Sequence, residues 1–165
     1  LLSFIFGTRQ DYKGKILFNG QDTRALSVGQ WCEIRTKNIS LLPQDMALFP
    51  ELTVGQNIDL KNNRTHHKTR QEIMDCLERV GIAEKYDVLA SQLSIGQMQR
   101  VALVRALCQP FDFIFLDEPV SHLDARNNQI VAQMVSEEAQ RQGAGIIATS
   151  VGNHLLLSNA EFVAL

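Results

Sequence analysis

Four apolar residues without alternation, Phe113-Ile-Phe-Leu116, run straight into two adjacent carboxylates, Asp117 and Glu118, and then Pro119. A non-alternating apolar run of this length suits a parallel strand buried on both faces. Such strands need helical crossovers on each side, which confines the chain to an α/β architecture. In open α/β sheets, ligands bind outside the carboxyl ends of the strands. The run therefore delivers two acids to the end of the sheet where chemistry is done. Two acids closing a strand also make ordinary turn or cap residues, and that reading stays open on this segment alone.

The surrounding pattern agrees with an α/β chain. Leu1–Phe6 before Gly7 reads as the tail of a helix, and Gly14–Gly20 as a short glycine-bounded strand with a turn. Ile39–Leu42 is an apolar run closed by Pro43. Ile73, Leu77 and Val80 recur at helical spacing before Gly81, and Val101, Val104 and Leu107 mark a helix spanning 93–107. Asp124–Gln142 predicts a helix with Ile130, Met134 and Val135 inward and Gly143 beyond its end. Gly145–Ala148 reads as a second buried strand, and Ala160–Leu165 as a possible third. No strand signal occurs from about Thr53 to Ser91, which suggests a helical insertion.

Size and charge exclude several classes. The 165 residues fit one compact domain, and 45% are hydrophobic, enough for a real core. Sixteen basic and 18 acidic residues give a net charge of −2, with no basic block to bind nucleic acid. No apolar run reaches the roughly 18–20 residues that span a bilayer. Action at a membrane would need docking on a partner that spans it. The opening LLSFIFG lacks a basic flank and a cleavage site, so it does not read as a signal peptide. Three scattered cysteines, Cys32, Cys76 and Cys108, argue for free thiols in a reducing compartment. His66, His67 and His122 have no partners at metal-ligand spacing.

Three further segments carry chemistry. In Leu93-Ser94-Ile95-Gly96-Gln97, Ser94 and Gln97 have capping-box spacing at a helix start. Gly96 leaves the first turn open to close approach, and free N–H groups there favour an anion. A plain capped helix is the alternative. Leu41-Leu-Pro-Gln44, followed by Leu48-Phe-Pro-Glu-Leu-Thr-Val54, is a proline-bounded loop with a polar residue at its head. Ser121-His-Leu-Asp124 follows Glu118, and Asp124 equally suits the N-cap of the next helix.

Taken in order, these segments resemble the nucleotide-hydrolysing domain of ATP-binding-cassette (ABC) ATPases. Phe113–Pro119 resembles a Walker B motif, Leu93–Gln97 the ABC signature (usually LSGGQ), Leu41–Val54 the Q-loop and Ser121–Asp124 the D-loop. Gln99-Arg100-Val-Ala-Leu-Val-Arg105-Ala106 extends the match beyond the signature.

The resemblance implies a P-loop NTPase-like, mainly parallel sheet core with a helical, signature-bearing subdomain. On this reading 1–52 and 92–165 form the core and about 53–91 the helical part. It implies ATP and Mg²⁺ as ligands. Asp117 and Gln44 would hold Mg²⁺, and Glu118 with Gln44 would act on the attacking water. Ser94, Gly96 and Gln97 would grip the γ-phosphate of ATP bound to an opposite subunit, with Asp124 at the dimer interface. The partners implied are a second ABC ATPase domain, identical or not, and a transmembrane permease. The location implied is the cytoplasmic face of the cell membrane.

Three departures qualify this. Ile95 replaces the first signature glycine, adding bulk beside the phosphate. Where the family places Thr-His after a strand, with the histidine on the γ-phosphate, this chain has Ser150; His154 lies four residues on and reads as an ordinary exposed residue. The phosphate-cradling loop G-x-x-x-x-G-K-[ST] is absent, so the sequence is expected to be a piece that starts just after it. These departures keep a second reading in play: a catalytically feeble, regulatory domain that completes the composite site of a sister subunit. A soluble ABC ATPase acting on DNA or ribosomes fits less well, for want of coiled-coil heptads or a basic arm.

Overall fold

The computed structural model describes residues 1–158 and 160–163. Its sheet is parallel, with β3 (Ile39–Leu42), β4 (Phe113–Asp117) and β5 (Gly145–Thr149) in the order β3-β4-β5. Leu42 pairs with Leu116, and Asp117 with Thr149, so all three strands end at one level. β4 is buried on both faces over Ile114–Leu116, as its lack of alternation requires, while Phe113 at its start is 44% exposed. Ile114 and Leu116 enter the main core, while Phe115 packs on the other side with Leu2, Trp31, Ile34 and Ile39.

The helices cover those faces. On the smaller side lie α1 (Leu2–Ile5) and α2 (Val28–Lys37), linked by a hairpin of β1 (Leu17–Phe18) and β2 (Gln21–Asp22). On the larger side, α3 (Val54–Asn62), α4 (Arg70–Arg79), α5 (Ile95–Ala106) and α6 (Ala125–Gln142) share one core with the sheet. Ile58, Leu77, Leu103 and Val135 are buried there.

Four of these helices start on capping boxes, with Ser27, Thr53, Thr69 and Ser94 paired to Gln30, Gln56, Glu72 and Gln97. Each box satisfies two donors that would otherwise be orphaned, worth about 1 kcal/mol. Gly143 ends α6 in the left-handed conformation that a helix C-terminus favours. No helix among the described residues is long and apolar enough to cross a membrane.

Three local expectations change. The helix read as 93–107 begins at Ile95, because Leu93 is extended and Ser94 is its cap. Gly145–Ala148 forms a strand but is not buried. Among the described residues β5 pairs only with β4 and forms the edge of the sheet, leaving Ile147 36% exposed. Ala160–Val163 carry no strand, and the remaining two residues of that expectation, 164 and 165, lie outside the described ones.

Candidate functional site

The common end of the three strands gathers most of the predicted residues. Gln44 follows β3 in an exposed turn, Asp117 ends β4 with Glu118 just after it, and Ser150 follows β5. Leu42 pairs with Leu116 and Asp117 with Thr149, so the chain leaves all three strands at the same end of the sheet.

Both carboxylates are held. Asp117 Oδ1 accepts from Thr149 Oγ1 at 2.6 Å. Glu118 Oε1 accepts from the backbone N–H of Val151 at 2.6 Å. Glu118 also adopts a left-handed backbone, φ +51°. For a side chain of this kind that conformation is uncommon and costs of order 1 kcal/mol, so it persists only where surroundings enforce it. Its N–H bonds Thr149 O at 3.0 Å, and its carbonyl accepts from Gln99 Nε2 at 2.8 Å. The strand therefore ends in a fixed, sharply turned carboxylate.

The Q-loop segment is similarly twisted and similarly braced. Met46 and Ala47 have φ of 60° and 45°. Their carbonyls accept from the Arg105 guanidinium at 2.6 and 2.7 Å. A planar fork of donors suits two neighbouring carbonyls.

The signature residues form a second group at the start of α5. Ser94 Oγ accepts from Gln97 N at 3.3 Å, and Gln97 Oε1 accepts from Ser94 N at 2.9 Å. Gly96 faces the loop after β4 so closely that an added Cβ would lie 3.1 Å from His122 O. Ile95 is 51% exposed at the first helical position. Asp124 caps α6, its Oδ1 accepting from Asn127 N at 2.8 Å. That backbone hydrogen bond holds its carboxyl below the usual range.

Ser150 is not isolated. Its Oγ lies 2.6 Å from His154 Nδ1, and the His154 ring stands edge-on to Phe162. His154 is exposed, as its sequence context suggests, yet it is engaged. Among the described residues no three His, Cys, Asp or Glu side chains converge as a metal cluster. Asp117 still suits a hard cation that is shared with phosphate oxygens. One of its oxygens is oriented by Thr149, and the other makes no hydrogen bond among the described residues.

Sequence reasoning missed three contributors: Thr149, the Val151 N–H and Gln99. The first two are visible only once β5 is placed beside β4. Gln99 had a signal, being a polar residue in helical phase with Ala102, Leu103 and Ala106, all buried.

The comparisons with known proteins point one way. The family model described as "ABC transporter" matches residues 1–121. The ABC transporter ATP-binding protein YtrE of Bacillus subtilis is 30% identical over 147 residues, covering 87% of this chain and 63% of YtrE. The lipoprotein-releasing system ATP-binding protein LolD of Shewanella frigidimarina is 31% identical over 140 residues, covering 83% and 59%. The thiamine import ATP-binding protein ThiQ of Vibrio cholerae is 35% identical over 168 residues, covering 99% and 66%. The chain thus spans about three-fifths of the length of such relatives. A dimeric ATP-binding cassette solved with ADP and Pi shares the fold, with a TM-score of 0.77 at 24% identity over 90% of this chain and 67% of that one.

Proposed function

The chain belongs to the ABC transporter ATP-binding family, and from that premise we propose that it is the ATP-binding, ATP-hydrolysing part of a transporter subunit. The observation that carries this is the shared strand end: Gln44, Asp117, Glu118 and Ser150 reach one edge of the sheet, and Glu118 is fixed there by Val151 N–H.

On this reading Glu118 is the general base. One carboxylate oxygen is tethered to Val151, which leaves Oε2 to take the proton of an attacking water. Gln44 orients that water from the neighbouring strand end. Asp117, aimed by Thr149, would hold Mg²⁺ with Gln44. When bound, Mg²⁺ supplies charge neutralisation on the β- and γ-phosphates. Ser150 would make the γ-phosphate contact. Ser94, Gly96 and Gln97 present the N-terminus of α5, an anion-favouring end, to ATP on a second ABC domain. Asp124 lies at that interface. Residues 1–52 and 92–165 would move as the catalytic core, with 53–91 as the helical part.

Two such domains would close on two ATP molecules and drive a transmembrane permease, at the cytoplasmic face of the membrane. LolD and ThiQ are named for lipoprotein release and thiamine import.

Ile95 and Ser150 favour a second reading, a weakly hydrolysing subunit that completes a sister's composite site. The test is Mg-ATP titration and phosphate release on the purified protein. Tight binding with turnover supports the first reading. Turnover only after mixing with a sister domain supports the second. No nucleotide binding in either arrangement refutes both.

A further inference from the structure

Gln99 sits in the second turn of α5 and is 3% exposed. Its side chain is fully committed. Nε2 donates to the Glu118 carbonyl at 2.8 Å and reaches Ser121 Oγ at 3.3 Å, while Oε1 accepts from His122 N–H at 3.1 Å. Buried amides are satisfied as a rule, but these three bonds all fall on one five-residue turn. That turn begins at the left-handed Glu118 and runs toward Asp124. It is also touched by the start of α5, where Gly96 approaches His122 O.

We propose that Gln99 is a positioning residue, which fixes the backbone turn at Glu118 and ties it to α5, the helix that Ser94 caps. The carbonyl of Glu118 accepts from Gln99, from Ser121 N and from Ser121 Oγ, so its orientation is over-determined. With Glu118 N–H held on Thr149 O, both peptide planes that flank Glu118 are fixed, and with them its φ, ψ and the exit direction of its side chain. A shift of α5, such as an anion at its N-terminus would cause, reaches Glu118 through one rigid amide. Gln99 touches no reacting atom, and its effect passes through Glu118. The inference therefore rests on the proposed role of Glu118 in hydrolysis, while the brace itself does not.

Gln99→Met keeps the length and volume and removes all three bonds. Two measurements on the full-length protein test it. Amide exchange at His122 is expected to quicken about tenfold, the loss of one buried hydrogen bond. Turnover is expected to fall about tenfold with KM for Mg-ATP unchanged, because the substrate contacts stay in place. Unchanged exchange at His122 overturns the brace whatever the activity. Faster exchange with wild-type turnover overturns the positioning role. A wild-type protein that hydrolyses nothing refutes the proposed function instead, and the exchange measurement still decides the brace. If Gln99→Met does not fold, Gln99→Glu retains the acceptor for His122 and loses the donor to Glu118. It is expected to keep His122 protected and to lose turnover; wild-type turnover in that variant overturns the proposal.

Discussion

Ser150 Oγ lies 2.6 Å from His154 Nδ1, and Val151, the first of the three residues between them in sequence, gives its N–H to Glu118. A serine at the position where the family has a histidine is thus paired to a histidine one loop away. The pair fixes the short loop whose backbone holds the carboxylate.

His154 is exposed and Ser150 half-buried, so Ser150→Ala and His154→Ala are expected to change stability by no more than about 1 kcal/mol, the net value of one hydrogen bond. Each is expected to lower turnover by about threefold, and the double variant by no more than either alone, the signature of a coupled pair. A double-mutant cycle in phosphate release measures this. Additive losses would show that the two side chains act separately.

Lys61 is expected to cost stability at neutral pH. Burial, with the Arg105 charge added, pushes its ammonium down to about 7 from an ordinary 10.5. Among the described residues its Nζ has one hydrogen bond, to Ser40 Oγ at 3.2 Å. The folded chain binds fewer protons than the unfolded one between these values, so its stability rises with pH across that window. Lys61→Met is expected to stabilise the fold by about 1 kcal/mol at pH 6, with the gain fading as pH rises past 7 toward 10. Thermal unfolding of the two proteins across that range gives the answer. A gain that persists at pH 10 would contradict the assignment.

Glu138 is the opposite case. Burial alone would raise its pKa, but hydrogen bonds from His67, Lys68 and Arg141 outweigh burial and hold the carboxyl well below the usual range. Lys68 Nζ stands 2.7 Å from Oε2, and both side chains are largely buried. This cluster fastens the loop before α4 to α6. A depressed carboxylate contributes stability above its unfolded pKa, near 4.5, and loses it as pH falls below. Glu138→Ala is expected to destabilise the fold by about 3 kcal/mol at pH 7, since it strands a buried lysine. It is also expected to flatten the acid limb of the unfolding profile. A wild-type acid limb in the variant would assign the pH dependence elsewhere.

Much of this was legible in the residues, for reasons that differ by segment. Phe113–Leu116 announced a doubly buried strand because both faces demand apolar side chains. Ser94 with Gln97 announced a helix start because a capping box is local chemistry. Gly145–Ala148 misled because an apolar run specifies a strand and leaves its neighbours open; whether β5 lies inside or at an edge depends on what pairs with it. The links Asp117–Thr149 and Glu118–Val151 join residues 32 and 33 positions apart; the first follows from strand register and the second from the path of the loop after β5. Gln99 was visible as a polar residue on a buried face, while its partners were not.

The central claim is that Glu118, fixed at the end of β4, takes the proton of the attacking water. It is tested most directly by Glu118→Gln in the full-length protein, with Mg-ATP binding and phosphate release measured on the same preparation. The amide preserves shape and an acceptor for Val151 N–H and removes the base. Binding is expected to stay within about twofold of wild type, since a base acts on the transition state, while turnover falls at least about a hundredfold. Wild-type turnover in this variant would contradict the account.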